Sequence, residues 1–259
     1  MRIFGHTIGN LYFYSILLLV FFVVSASYIS NMFPLPLLFG VIWAIILEFL
    51  IIKFYIKKKF RIPYSAIITS LIIGSVAPLN APILLIITAV TIAIVSKFIL
   101  KFKSSNILNP AVIGLIISLA IFSIGDEWWV GTPINIGGVL ITITPILIIL
   151  PYMSQRLTAA FSFIFTTILI TYLMSPSIFV ITTISGIIAL FLSINYFFVF
   201  VMLSDPRTSP SRRINQIVFG AGTSLLYISL SLLGINYSIL ISLFIANILY
   251  FIYRYYSLR

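Results

Sequence analysis

Apolar runs long enough to cross a bilayer follow one another from Leu11 to Tyr256, separated only by short polar breaks. That succession decides the solvent. Hydrophobic residues make up 62% of the chain and charged residues 7%, against about a quarter charged in an ordinary soluble domain. No globular fold hides that much apolar surface from water, so the surrounding medium is lipid and the backbone must satisfy itself, here in helices. The expected fold is an all-α polytopic membrane protein, a single transmembrane domain over residues 1–259.

The runs predict ten helices: Leu11–Ser30, Leu37–Ile56, Tyr64–Val76, Pro82–Leu100, Pro110–Ile124, Ile136–Leu150, Leu157–Met174, Ile178–Leu203, Ile217–Leu233 and Tyr237–Tyr256. The third is short for a hydrocarbon layer of about 30 Å. The eighth is long and carries Ser185-Gly186, so a break is expected there. The first run is too long for a signal-peptide core and no small-residue cleavage site follows it, so it is read as a retained helix.

The net charge of +11 would suggest nucleic acid in a soluble protein. Its distribution argues otherwise. In a ten-helix arrangement all 15 basic residues fall on one side. They are Arg2, the Lys53–Arg61 cluster, Lys97–Lys103, Arg156, Arg207, Arg212, Arg213, Arg254 and Arg259. Asp126 and Glu127 fall on the other. This is the positive-inside pattern of a multi-pass protein of the cell membrane with both termini cytoplasmic, and it leaves no role for nucleic acid. An even number of helices divided five and five inverts the second half, so pseudo-repeats of approximately 1–130 and 131–259 are expected. Interrupted helices three and eight would hold corresponding positions, as in many transporters. Ser65-Ala66-Ile67-Ile68 and Ser185-Gly186-Ile187-Ile188 are similar starts.

Chemistry is scarce. There is no cysteine and one histidine, His6, so thiolate sites and histidine-based metal centres or triads are excluded for a single chain. No Walker loop, dinucleotide fingerprint, kinase signature or metalloprotease helix is present. Two polar motifs stand out. Asn106-Ile-Leu-Asn109-Pro110 has the chemistry of a helix start, with an N-cap acceptor followed by proline at the first helical position. The same start, with Lys101 and Lys103 nearby, could instead hold an anionic headgroup, and Gly114 permits close approach. Asp205-Pro-Arg207-Thr208-Ser209-Pro210 is read either as a surface turn with an Asp205–arginine pair or as a loop whose hydroxyls and arginines grip a phosphate, flavin or quinone headgroup. Glu48 is the acid well inside a helix, a candidate for an ion path; the bland alternative is a side chain snorkelling to the adjacent lysines. Asp126-Glu127-Trp128-Trp129 is read as an outer loop with an aromatic belt anchor. Asn195, Asn236 and Asn247 are expected to hydrogen-bond between helices.

Together the two motifs carry a resemblance. Ser96-Lys97 precedes an Asn-x-x-Asn-Pro-Ala-x-x-Gly element (Asn106 to Gly114), and an Asp-Pro-x-Thr-Ser-Pro loop (Asp205 to Pro210) leads into Phe219-Gly220. In that order, the pair resembles an integral-membrane family whose members serve the sodium-translocating NADH:quinone reductase and the Rnf electron-transport complex. The resemblance covers about two-thirds of the chain. It implies an inverted five-plus-five scaffold similar to urea transporters, electron transport coupled to ion movement, and partner subunits carrying the other redox centres. It also implies flavin, as FMN or riboflavin. In redox members FMN is attached to the threonine of a Ser-Gly-Ala-Thr motif. This chain has Gly131-Thr132-Pro133 at about that place, without the serine, and Gly137-Gly138-Val139 where the family has a Glu-Thr helix. Thr132 is therefore both an attachment candidate and a residue at a proline-led helix start.

The implied activity is that of one component of a multisubunit oxidoreductase, with membrane lipid, sister subunits or further copies of itself as partners. The alternatives are a non-redox transporter or channel for a small solute on the same scaffold, and an assembly component without transport.

Overall fold

The structure is a computed structural model that describes residues 2–3, 6–56, 62–102, 105–131, 146–174 and 194–257. The chain is mostly helical, with two small two-stranded antiparallel ribbons. Among the described residues, four stretches are long and apolar enough to cross a membrane: Leu11–Ser30, Leu35–Ile56, Leu157–Met174 and Ser238–Ser257. The chain divides into two compact units, Met1–Pro133 and Ile134–Arg259.

In the first unit, β1 (Arg2–Ile3) and β2 (His6–Thr7) form one ribbon and lead into α1 (Ile8–Ser30). α1 ends where Asn31 turns left-handed at φ 51°, a conformation asparagine tolerates, and the amide of Met32 reaches back to Ser27 O. α2 (Leu35–Leu50) runs on into a π-helical stretch, Ile51–Ile56. Next come α3 (Tyr64–Val76) and α4 (Ile83–Ile99). Strands β3 (Lys101–Phe102) and β4 (Ser105–Asn106) then form a second ribbon before α5 (Pro110–Phe122).

α3 is the hub. It packs on α1, α2, α4 and α5, and every residue from Thr69 to Val76 is buried. Its 13 residues rise about 20 Å, well short of the hydrocarbon layer. The shortness has identifiable ends. Pro63 starts the helix, and the Ala77-Pro78 pair stops it because the residue before a proline is pushed out of the helical region. The turn that follows is itself buried at Ala77, Leu79 and Ala81, where unpaired backbone would be costly. The loop after α5 supplies the partners. Glu127 Oε2 accepts from Leu79 N at 2.8 Å, and the amides of Glu127 and Trp128 both donate to Val76 O. Trp129 is 3% exposed and its indole nitrogen donates to Gly74 O at 2.7 Å. The sequence suggests an aromatic belt here; Trp129 instead locks the end of the short helix, because its N–H finds a buried carbonyl.

In the second unit, residues 146–153 are helical and close with Gln155 left-handed at φ 59°. α6 (Leu157–Met174) follows. After Asn195 a helix begins that becomes π-helical over Phe198–Leu203. The Asp205–Arg212 loop leads to α7 (Arg213–Leu232), and Gly234, left-handed at φ 69°, separates it from α8 (Ser238–Ser257). α7 packs on both α6 and α8. On α6 the contact is stitched by Ser162 Oγ donating to Ile217 O at 2.8 Å and by a buried Thr167–Ser224 hydroxyl pair at 2.8 Å.

Three sequence expectations need correction. α7 starts at Arg213, not Ile217, because its first turn is polar and hydropathy alone skips it. Asn195 bridges no helices among the described residues; its Oδ1 caps a helix start by accepting from Phe198 N at 2.9 Å. Asn247 is fully buried, yet neither its nitrogen nor its oxygen meets a partner among the described residues. The expected helix over Ile136–Leu150 lies mostly outside the described residues, as do Ser185-Gly186 and Gly137-Gly138.

Candidate functional site

The motif residues fall into two clusters, one in each unit. In the first unit, Asn109 takes the extended conformation of an N-cap (φ −67°, ψ 119°). Its Oδ1 accepts from Ala111 N at 3.0 Å and Val112 N at 3.4 Å. Pro110 has no N–H, and the amide of Ile113 donates to Asn109 O at 3.2 Å. The donors of the first turn are thus all spent inside the chain, and none is left over to hold an anion by the helix-start mechanism. Asn109→Ala frees two buried donors and should cost about 0.5–2 kcal/mol, read as a lower thermal midpoint in detergent. Asn106 is buried and pairs across the ribbon with Lys101. Nearby, Lys97 is 6% exposed, and its ammonium donates to Ser65 O at 2.7 Å. That contact ties the end of α4 to the start of α3.

In the second unit, Asp205 organises the loop as a polar knot. Its carboxylate accepts from Arg207 N at 3.1 Å and from the Thr208 hydroxyl at 3.3 Å. Its carbonyl accepts from Thr208 N, Ser209 N and, at 2.7 Å, the Ser209 hydroxyl. The Ser209 oxygen in turn accepts from Arg156 Nε at 3.0 Å, while Arg156 Nη1 donates to Ser154 O and Gln155 O at 3.2 and 3.3 Å. Gln216 Nε2 closes the far side, donating to Gln155 O and Ser211 O. Ser154 Oγ reaches Ser204 O, and Ser204 Oγ turns back to Phe200 O. Thr208, Ser209, Ser154, Ser204, Arg156 and Gln216 are all buried; Arg207, Arg212 and Arg213 are exposed. Burial pulls the Arg156 guanidinium below its ordinary value, opposed by the Tyr250 phenol and the Asp205 carboxylate. A guanidinium stays charged nonetheless.

The loop's hydroxyls therefore point inward. Arg156, Ser154 and Gln216 are site residues that sequence reasoning passes over. Arg156 counts there only as a topology charge, although a lone cation between two apolar runs is the signal of a buried partner. In the first unit, Glu48 is half-buried with Oε2 unpartnered among the described residues, and the hydroxyl of the fully buried Ser70 is likewise unpartnered there. Thr132 lies outside the described residues.

Each motif continues into a glycine that brings two helices into backbone contact. A Cβ on Gly114 would overlap Ala89 O in α4, and a Cβ on Gly220 would overlap Ala159 O in α6. No protein-family model matches the chain, and no characterised protein does either.

Proposed function

We propose that the chain is a membrane component of an electron-transport complex coupled to ion movement, built on the scaffold whose two motifs it carries. The observation that supports this most directly is the use to which the motif residues are put. Asn109 caps α5 and Gly114 seats it against Ala89; Asp205 and Ser209 close the loop around Arg156, and Gly220 seats α7 against Ala159. A signature made of caps and close contacts is what a shared scaffold demands.

The division at Pro133 and Ile134 supports two related halves. So does the recurrence of pairings within each. α2 packs on α4 and α4 on α5 in the first unit; α6 packs on α7 and α7 on α8 in the second. Counted in the expected ten-helix order, these are the second-with-fourth and fourth-with-fifth pairs of each half. The charge distribution supports a cell-membrane protein with both termini in the cytoplasm.

The hydroxyls of Thr208 and Ser209 and the Oδ1 of Asn109 have partners inside the chain, which counts against their holding a flavin or quinone headgroup. A covalent flavin is therefore assigned to Thr132 alone, on resemblance. Intact mass and the visible spectrum of the purified protein test it. A mass increment of FMN that disappears in Thr132→Ala upholds covalent flavin; colourless protein of unmodified mass rejects it.

A second reading, a transporter or channel for a small ion or solute without redox chemistry, is favoured by the unpartnered polar atoms within apolar helices, Glu48 Oε2, Ser70 Oγ and the Asn247 carboxamide. Such groups are expensive in a membrane unless they serve a pathway. On this reading Glu48→Gln abolishes cation flux into proteoliposomes while leaving the thermal midpoint unchanged; unaltered flux removes Glu48 from the path.

A further inference from the structure

Beyond this reading, the second unit carries a groove between α7 and α8 that none of the assigned roles uses. Its volume is about 360 Å³, and its walls include Val218, Phe219, Gly222, Leu249, Tyr250 and Tyr253. A pocket of this size falls at the lower end of those that hold a ligand. The floor is the edge-to-face contact of Phe219 with Tyr250, centroids 6.1 Å apart. The walls face outward: Val218 is 67% and Leu249 56% exposed. Gly222 keeps the groove open, since a Cβ there would meet nothing within 4 Å.

The chemistry at the groove's end selects an occupant. On α7 the lining positions 215, 219, 222 and 226 recur at helical spacing, and the exposed Arg212 is the N-cap of the same helix, three residues before Asn215. On α8 the positions 246, 249, 250 and 253 do likewise, and Arg254 follows Tyr250 by one turn. The Arg254 guanidinium lies 5.6 Å from the centre of the Tyr250 ring, which holds the cation at this end. Arg213 is exposed beside Arg212. The second unit has one acid, Asp205, and its carboxylate is spent within its own loop. The mouth therefore has an excess of positive charge, and the channel behind it is apolar and open to the surroundings of a spanning helix.

We propose that this groove is a binding site for one anionic phospholipid, its acyl chain lying along Val218, Gly222 and Leu249 and its phosphate between Arg212 and Arg254. A soluble anion would gain nothing from the apolar walls, and a zwitterionic lipid would gain little from the arginines. Basic pockets between helix ends recognise anionic headgroups in this way.

The test uses the full chain, delipidated in detergent and titrated with phosphatidylglycerol or phosphatidylcholine, with bound lipid counted by native mass spectrometry. The wild type should retain one phosphatidylglycerol in preference to phosphatidylcholine. Two arginine contacts at about 1 kcal/mol each correspond to roughly ten- to thirtyfold in affinity, so the combined Arg212→Gln and Arg254→Gln variant should weaken binding by that factor. Gly222→Leu fills the groove from the open side and should expel the lipid while keeping the wild-type elution volume. The arginine variant decides the matter should Gly222→Leu misfold. Equal retention of phosphatidylcholine, unchanged binding by the arginine variant, or competition by millimolar inorganic phosphate overturns the proposal. So does a shift from dimer to monomer in Gly222→Leu, which would make the occupant a second copy of the chain.

Discussion

Arg156→Leu should lower the stability of the second unit by about 2–6 kcal/mol, the cost of leaving two buried acceptors without their donor. The loss does not come from the charge itself. Burial works against the guanidinium, and the opposing influence of Tyr250 and Asp205 only partly offsets it. What disappears is a set of donors. Ser154 O, Gln155 O and the Ser209 oxygen each accept from Arg156; with leucine, Gln155 O keeps the Gln216 donor, while Ser154 O and the Ser209 oxygen lose theirs in a site that is 8% exposed or less at Arg156, Ser154 and Ser209. Each unsatisfied group costs about 1–3 kcal/mol, and the two together account for the figure. Leucine recovers some apolar packing, which keeps the total from the top of the range. Arg156→Lys should rescue only in part, because a lysine ammonium cannot reproduce the fork that serves the Ser209 oxygen and two carbonyls at once. Thermal unfolding in detergent measures this, with a midpoint lowered by roughly 10 °C for leucine. An Arg156→Leu protein that melts with the wild type would mean that the knot does not hold the loop.

The same residue shows how far the sequence can be read. Hydropathy and proline placement locate α3 and α6 at Tyr64–Val76 and Leu157–Met174 to the residue, because Pro63, Pro78 and the apolar onset at Leu157 are local signals. Asn109-Pro110 is equally legible as a cap, since both members act within one turn. What stays hidden is anything that depends on a distant partner. Arg156 looks like any other loop cation until Ser209, 53 residues on, is brought beside it. Trp129 looks like an interface residue until Gly74 O is found 2.7 Å away. The hub position of α3 is invisible for the same reason: a short apolar run reads alike whether it faces lipid or four neighbouring helices. The π-helical stretches Ile51–Ile56 and Phe198–Leu203 have no residue signature distinct from the helix around them. The helix start at Asn195 is in principle legible, since an asparagine three residues before the capped amide of Phe198 is an N-cap pattern. The Ser185-Gly186 pair is the stronger breaker signal and masks it.

Gly220→Ala and Gly222→Ala should have opposite signs, although they lie two residues apart on one helix. Alanine is favoured over glycine in a helix interior by about 1 kcal/mol, and that gain is available at both positions. At Gly222 nothing stands within 4 Å of the new methyl, so the gain survives and the variant should be more stable by about 0.5–1 kcal/mol. At Gly220 the methyl would overlap Ala159 O and lie 3.0 Å from Phe163 N. Both are backbone atoms of α6 and cannot rotate away, so α6 and α7 must move apart. Separation strains the Ser162–Ile217 bond and the Thr167–Ser224 pair. It also loosens Phe163 between Phe198 and Tyr227. In lipid no hydrophobic force draws the helices back, so association rests on the packing that the methyl removes. Overpacking of this kind costs about 1–3 kcal/mol and sometimes more, which outweighs the propensity gain and leaves Gly220→Ala destabilised. Gly114→Ala meets Ala89 O and the Ala93 methyl in the same way and should behave like Gly220→Ala in the first unit. Thermal midpoints of the three variants in one detergent make the comparison. A Gly220→Ala midpoint at or above that of Gly222→Ala would show that α6 and α7 are not held in backbone contact, and the two motif glycines would then lose their role as scaffold contacts.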